Sequence, residues 1–110
     1  MMKRSDSLLG FISIGMKAGA YVLGSSLTIP AARSGKIQLI MLSCDASDNT
    51  KKAVRDTART HNIEIMEHYD MEMLGAACGR TKLSVIGVKN EKIARQILTL
   101  YGQLVKGGNA

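Results

Sequence analysis

The sequence predicts an α/β fold, in which a sheet of about four strands lies between helices on both faces, as one domain over residues 1–110. Short runs of strand-forming residues alternate with segments of helical periodicity. The run from Ile37 to Leu42 is nearly all apolar and is flanked by Gly35 and by small polar residues, which is typical of a strand buried on both faces. Hydrophobic residues make up 45% of the 110 residues, which is enough to form a core.

The N-terminal segment predicts a first helix that Ser5 or Ser7 caps. Small or apolar residues fall on one face of it at helical spacing: Leu8, Ile12, Met16 and Gly19. The basic start followed by an apolar stretch is similar to a weak signal peptide. Because Asp6 and Lys17 bracket a short stretch, we expect a retained amphipathic helix instead. No run approaches the ~18 apolar residues of a membrane span.

Tyr21–Leu23 predicts a short strand that Gly24 ends, and the serines that follow open a second helix. The free amides at the start of that helix could face a phosphate, although an ordinary strand-to-helix turn also explains the pattern. Pro30 suits only the first turn of a helix, so we expect it to delay the helix start.

After the apolar strand, Ser47, Asp48 or Asn49 can cap a third helix that runs to about Asn62. Its expected inward face consists of Thr50, Ala53, Val54, Thr57 and Ala58. Four basic residues are expected on its solvent side: Lys51, Lys52, Arg55 and Arg59. Such a run is usually a solvated face, and contact with nucleic acid is the alternative.

Ile63–His68 alternates imperfectly between apolar and polar residues and predicts a strand. Asp70 is a good cap for a short helix over residues 71–78, which Gly79 closes. A brief basic loop, Arg80-Thr81-Lys82, follows directly.

Leu83–Val88 predicts the last strand. Asn90 then caps a final helix. The apolar stripe of that helix is Ile93, Ala94, Ile97, Leu98, Tyr101, Leu104 and Val105. Residues 106–110 are expected to fray.

The charge balance favours a polyanionic partner. Lys and Arg number 15 against 9 Asp and Glu, which gives a net charge of +6. A solvated positive surface is the alternative. The aromatic residues are only Phe11, Tyr21, Tyr69 and Tyr101. Because stacking of single-stranded bases requires aromatic platforms, an RNA partner would be recognised by backbone shape and a few polar contacts.

Cys44 and Cys78 are far apart and show no CxxC spacing. Nothing groups them with His61 and His68 into a metal set, so no metal or other cofactor is expected. Each cysteine lies beside an apolar segment, so we expect small buried thiols in a reducing cytoplasm. A reactive thiol at the Cys44–Asp45 turn is the weaker alternative. No phosphate loop, paired carboxylates or Cys-His arrangement predicts an enzyme.

Several segments keep a recognisable order and spacing: Gly24, the helix to Gly35, the strand from Ile37 to Leu42, the turn at residues 45–47, and a Leu-Gly-x-Ala-x-Gly element at residues 74–79. In these the chain resembles the kink-turn RNA-binding ribosomal protein family, the L7Ae, L30e and Gadd45 group, and particularly its small bacterial YlxQ-type branch. The resemblance covers most of the chain. It implies a three-layer α/β/α sandwich with a mixed sheet, no catalysis, and RNA held between two loops, which match residues 24–27 and 79–82.

The chain departs from this family at three positions. Family members that bind kink-turns tightly read tandem sheared G·A pairs with an Asn-Glu pair and a downstream Lys, and Ser26, Leu27 and Pro30 stand there instead. Since a good base contact discriminates by ~1–3 kcal/mol, we expect weakened or altered kink-turn specificity. Lys82 falls where the family has a basic loop residue, and Val85 can offer an apolar edge.

We therefore expect a non-catalytic cytoplasmic protein whose partner is structured RNA or the ribosome, with no membrane or DNA partner. The expected RNA-binding residues are Gly24, Ser25, Ser26, Leu27, Arg33, Arg80, Thr81, Lys82 and Val85. Arg33 would substitute for the missing lysine if the helix directs it outward. The alternative is a protein-interaction module on the same scaffold, because Ser, Leu and Pro make this face more apolar.

Overall fold

The computed structural model describes residues 7–107, which form five helices and four strands. In chain order these are α1 Ser7–Lys17, β1 Tyr21–Leu23, α2 Ser25–Arg33, β2 Leu39–Leu42, α3 Asp48–Thr60, β3 Glu64–Glu67, α4 Met71–Ala77, β4 Val85–Val88 and α5 Glu91–Gly107. Ser5 as a cap and the fraying expected at residues 108–110 lie outside the described residues. Lys106 and Gly107, also expected to fray, are the last residues of α5.

The four strands form one mixed sheet in the order β1-β4-β2-β3. Strand β2 runs parallel to β3, whereas β4 is antiparallel to both β1 and β2. All four residues of β2 and all four of β4 are buried, as expected of the two interior strands. The mixed sheet of about four strands is therefore confirmed.

A hydrophobic core lies on each face of the sheet. One core joins the sheet to α1, α4 and α5, and the other joins it to α2 and α3. Along β2, Leu39 and Met41 belong to the first core and Ile40 and Leu42 to the second, because successive side chains of a strand alternate. The three-layer α/β/α sandwich is confirmed.

Three of the predicted helix caps are present. Ser47 accepts a hydrogen bond from the amide of Thr50 (3.2 Å), which selects Ser47 among the three candidates at the start of α3. Asp70 Oδ1 accepts from the amide of Met73 (2.8 Å). Asn90 Oδ1 accepts from the amide of Ile93 (2.9 Å). Each cap satisfies an amide that has no partner within its helix.

The prediction that Pro30 delays the start of α2 is wrong. The helix begins at Ser25, and the amide of Thr28 already donates to the carbonyl of Gly24 (2.9 Å). Pro30 lies inside the helix, where it removes one hydrogen bond, to the carbonyl of Ser26. Because Ser26 is exposed, water can satisfy that carbonyl.

Several elements are shorter than predicted. Strand β2 begins at Leu39 rather than Ile37, and β4 begins at Val85 rather than Leu83. Strand β3 loses one residue at each end. Helix α3 ends at Thr60 because Asn62 has a φ of 55°, which lies outside the right-handed helical region.

Three residues expected to be buried are exposed: Cys44, Ala53 and Val105. Cys44 lies in the turn beyond β2 rather than in the strand. Ala53 lies beside the buried stripe of α3, which consists of Val54, Thr57 and Ala58. Val105 is near the end of a helix ~25 Å long, whereas a four-residue strand spans only ~13 Å, so the end of α5 extends past the sheet. Cys78 is buried as expected.

Glycine allows the close contact between α1 and β1. The hydroxyl of Tyr21 donates to the carbonyl of Ile12 (2.8 Å), and a Cβ at Gly15 would collide with that hydroxyl. Gly19 has a φ of 71° and lies in the turn after α1, not on its apolar face as predicted.

Candidate nucleic-acid interface

The loops at residues 24–27 and 79–82 lie side by side at one end of the sheet. Because β1 and β4 are antiparallel, the end of β1 lies beside the start of β4. The amide of Gly24 donates to the carbonyl of Val85 (2.8 Å), which ties the first loop to the base of the second. Leu27 and Arg80 line the same open cavity of about 420 Å³. We call these two segments the paired loops.

The first of the paired loops leaves helical amides free. Gly24 is the N-cap of α2, has a φ of 90°, and provides no side chain to cap the helix. The amides of Ser25, Ser26 and Leu27 therefore precede the first intrahelical bond, which Thr28 makes. Ser26 and Leu27 are exposed, with 61% of Leu27 accessible. Free amides at a helix start can donate to phosphate oxygens.

The second loop is positioned by a glycine to which sequence reasoning assigned no role. The amide of Arg80 donates to the carbonyl of Gly75 (2.8 Å), so the loop turns back onto α4. A Cβ at Gly75 would lie 2.8 Å from the backbone nitrogen and Cα of Lys82. Only a glycine lets the loop lie this close to the helix, and its occurrence in the middle of a short helix was the available sequence signal. Arg80, Thr81 and Lys82 are all exposed.

Two of the predicted RNA-binding residues do not lie in this interface. The side chain of Val85 is wholly buried in the core beside α2 and α3, so the prediction that it offers an apolar edge is wrong. Its carbonyl joins the paired loops instead. Arg33 is exposed but lies eight residues along α2 from Ser25, ~12 Å away, beside His61 and Asn62. Its substitution for the lysine missing at Pro30, one turn before it, stays a prediction.

Arg80 and Lys82 make no ion pair with any of residues 7–107. Asp70 and Glu72 are near them, because the amide of Leu83 donates to the carbonyl of Met71 (3.0 Å). The charge at the paired loops is therefore nearly balanced. Binding at this surface would therefore depend more on shape and hydrogen bonding than on a concentration of positive charge.

The four basic residues of α3 share two carboxylates in ion pairs. Lys52 and Arg59 pair with Asp56 (3.3 and 2.6 Å), and Lys51 and Arg55 pair with Glu67 (3.5 and 2.7 Å). The hydrogen bond from Lys52 lowers the pKa of Asp56, and that from Arg55 lowers the pKa of Glu67. These pairings favour the solvated face over contact with nucleic acid.

Neither the Cys78 thiol nor a group of metal-ligating side chains forms a second site among residues 7–107. Burial raises the pKa of the Cys78 thiol, which keeps it protonated and unreactive. Among residues 7–107, no three His, Cys, Asp or Glu side chains are grouped closely enough to hold a metal ion. No helix in the same range is both long enough and apolar enough to cross a membrane.

Comparison with known proteins finds a family that matches most of the chain. Residues 6–97 match the ribosomal protein L7Ae/L30e/S12e/Gadd45 family. The RNA-binding protein YlxQ of Enterococcus faecium is 27% identical, over 80% of this chain and 84% of that protein. The large ribosomal subunit protein eL30B of Schizosaccharomyces pombe is 34% identical, over 78% of this chain and 73% of that protein.

A solved structure has the same fold. It is that of a protein of unknown function from Bacillus halodurans, with a TM-score of 0.82 and 29% identity. The superposition covers 84% of this chain and 94% of that chain. The shared region therefore includes most of the sandwich.

Proposed function

Because this chain belongs to the ribosomal protein L7Ae/L30e/S12e/Gadd45 family, we propose that it binds structured RNA, free or within the ribosome, as a single cytoplasmic domain. The family is one of RNA-binding and ribosomal proteins rather than enzymes, as the sequence predicted. The similar protein of E. faecium is named as an RNA-binding protein, and that of S. pombe as a ribosomal subunit protein.

The observation that carries the proposal is the hydrogen bond between the amide of Gly24 and the carbonyl of Val85, which holds the paired loops together. RNA lying across them meets the free amides and hydroxyls of Ser25 and Ser26 on one side. On the other side it meets Arg80, Thr81 and Lys82. Amides and hydroxyls donate to phosphates and sugars, while the two cations neutralise phosphate charge.

In this proposal the protein recognises sheared G·A pairs only weakly. Leu27 is 61% exposed at the helix start and has no group that accepts a hydrogen bond from a guanine edge. Pro30 is exposed and carries no charge. Ser26 retains a hydroxyl that can make one hydrogen bond. The protein then binds a bent RNA backbone more than the bases within it.

The test compares two charge-reversal variants on one kink-turn RNA and on a copy with its G·A pairs replaced. Arg80→Glu with Lys82→Glu should weaken binding to both RNAs strongly, because two phosphate contacts become repulsive. The matched control, Lys52→Glu with Arg59→Glu, changes the net charge equally on α3 and should bind nearly as the wild type does. Equal loss in both variants, or none in the first, would remove the paired loops from the interface.

A second candidate is a protein-interaction module on the same surface. The cavity beside Leu27 is lined mainly by apolar side chains, among them Met16, Val22 and Leu23. An exposed leucine beside such a cavity is a typical protein contact. A partner recovered equally with and without ribonuclease, and lost with Leu27→Ser, would favour this function over the first.

A further inference from the structure

The chain has a cationic surface at the end of the sheet opposite the paired loops. Helices α1, α2 and α3 end there, and α5 begins there, as the strand directions require. Five exposed basic residues lie at this end: Lys17, Arg33, Lys36, Lys89 and Lys92. We call them the far-end cluster.

Backbone hydrogen bonds bring the segments that carry this cluster together. The amide of Lys89 donates to the carbonyl of Ala20 (2.8 Å), which places Lys89 beside the turn that follows α1. The amide of Gln38 donates to the carbonyl of Val88 (2.7 Å), which places the segment of Lys36 on the other side of β4. The amide of Lys36 bonds the carbonyl of Ala31 (3.0 Å) in the last turns of α2, close to Arg33.

The two ends of the molecule differ sharply in charge. None of the five basic residues makes an ion pair within the described part of the chain, residues 7–107. The nearby carboxylates are Glu64 and Glu91, and Glu91 is already bound to Arg95 (2.8 Å). At the opposite end, Arg80 and Lys82 share their surroundings with Asp45, Asp48, Asp70 and Glu72, which lie at the starts of α3 and α4.

Helix dipoles explain only part of the far-end cluster. Lys17 and Arg33 lie in the last turns of α1 and α2, where positive charge stabilises a helix. Lys92 is the second residue of α5, and Lys89 directly precedes its capping residue, Asn90. Positive charge at a helix start opposes the dipole, so the fold gains nothing from these two lysines. A bound anion would compensate the charge of these two lysines.

Resting on the proposed function, we infer that the far-end cluster binds the phosphate backbone of a second RNA segment, so that the protein bridges two parts of a folded RNA. The two surfaces are separated by about the length of α2, ~12 Å. This exceeds the Debye length of ~8 Å at physiological salt, so the cluster does not merely strengthen attraction at the paired loops.

RNA suits this surface better than a membrane does. Uncharged polar side chains, Gln38 and Asn90, lie among the lysines, as is usual for contacts to phosphate and sugar. A helix that lies on a lipid surface needs a broad apolar face to insert. The first two residues of α5, Glu91 and Lys92, are exposed and charged, so the start of this helix has no such apolar face.

The test uses the full chain and a fully paired RNA duplex, which offers only backbone. Lys36→Gln with Lys89→Gln and Lys92→Gln should weaken duplex binding and make the slope of log K against log salt shallower by about two to three units, ~0.9 for each lost phosphate contact. The matched control, Lys52→Gln with Arg55→Gln and Arg59→Gln, removes the same charge from α3 and should leave the slope unchanged. Equal changes in both variants would overturn the inference.

A capture experiment tests bridging separately from duplex binding. An immobilised duplex loaded with wild-type protein should capture a labelled kink-turn RNA, and the far-end variant should capture far less. Retained duplex binding by Arg80→Glu with Lys82→Glu would support the far-end cluster even if kink-turn binding does not depend on the paired loops. Tighter binding to phosphatidylserine vesicles than to the duplex, lost in the far-end variant, would overturn the RNA assignment. Unchanged thermal unfolding of the variants excludes misfolding as the cause.

Discussion

At the scale of single residues, Gly75 determines where the second of the paired loops lies. The loop crosses α4 so closely that a Cβ at this position would meet the backbone of Lys82 at 2.8 Å, and of Thr81 at the same distance. Backbone atoms cannot rotate aside as the end of a long side chain can. The loop and the helix must therefore separate when any side chain is introduced.

We expect Gly75→Ala to lower the free energy of unfolding by about 1–3 kcal/mol, because the overpacking outweighs the better helix propensity of alanine. The same change should weaken RNA binding by displacing Arg80 and Lys82. Gly10→Ala is the matched control, since a Cβ there meets nothing within 4 Å and should stabilise α1 by up to ~1 kcal/mol. Denaturant unfolding and RNA titration measure the two effects. A Gly75→Ala protein as stable as the control would contradict this role.

At the scale of elements, the position of α2 does not depend on the residues at its exposed start. Thr28, on the buried face, lies against Gly87 of β4 and donates from its hydroxyl to the carbonyl of Val22 (3.2 Å). These contacts hold the helix on the sheet whatever its exposed face carries. Ser26, Leu27 and Pro30 are on that exposed face, so they can change without altering the packing.

The triple substitution Ser26→Asn, Leu27→Glu and Pro30→Lys should therefore increase discrimination between a kink-turn RNA and its copy without G·A pairs. Each good base contact is worth ~1–3 kcal/mol, and these are the residue types that the family uses for such contacts. Lysine also provides the amide that Pro30 lacks. Binding of both RNAs by the wild type and the variant measures the ratio. An unchanged ratio would show that the paired loops do not present α2 to the bases.

At the scale of the whole molecule, stability falls at acidic pH because paired carboxylates become protonated, and at alkaline pH because buried hydroxyl and thiol groups become ionised. Hydrogen bonds from Lys52 and Arg55 lower the pKa values of Asp56 and Glu67. Burial raises the pKa values of Tyr21 and Cys78, with Cys78 contributing further to the rise at Tyr21. Both pairs of shifts make stability depend on pH.

The unfolding midpoint should be highest near neutral pH and fall on both sides. A lowered carboxyl pKa stabilises the fold above the unfolded value, about 4, and that contribution is lost as the pH falls through the folded pKa. A raised thiol or phenol pKa stabilises the fold below the unfolded values, about 8.5 and 10, and the contribution is lost as the pH rises further. Thermal unfolding across the pH range measures the curve. Glu67→Gln should flatten its acidic side, and an unaltered acidic side would contradict the assignment.

Local sequence patterns were enough to predict the helix caps, the central strand and the family. Ser47, Asp70 and Asn90 cap their helices because a cap needs only an oxygen and an amide within one turn. The apolar run from Ile37 to Leu42 predicted the buried strand β2. The motif at residues 74–79 indicated the family to which the chain belongs. Arg80, Thr81 and Lys82 were correctly predicted to be an accessible basic loop, although their contact with RNA stays a prediction.

Which of these features lie close together depends on how the strands pair in the folded chain. The antiparallel pairing of β1 with β4 joins the two loops, buries Val85 and leaves Arg33 at the other end of α2. The same strand directions place Lys36, Lys89 and Lys92 at the far end. The basic residues of α3 instead form ion pairs with carboxylates. Strand order and direction depend on contacts between residues distant in sequence, which no local pattern encodes. Basic residues that are far apart in the sequence therefore lie close together in space.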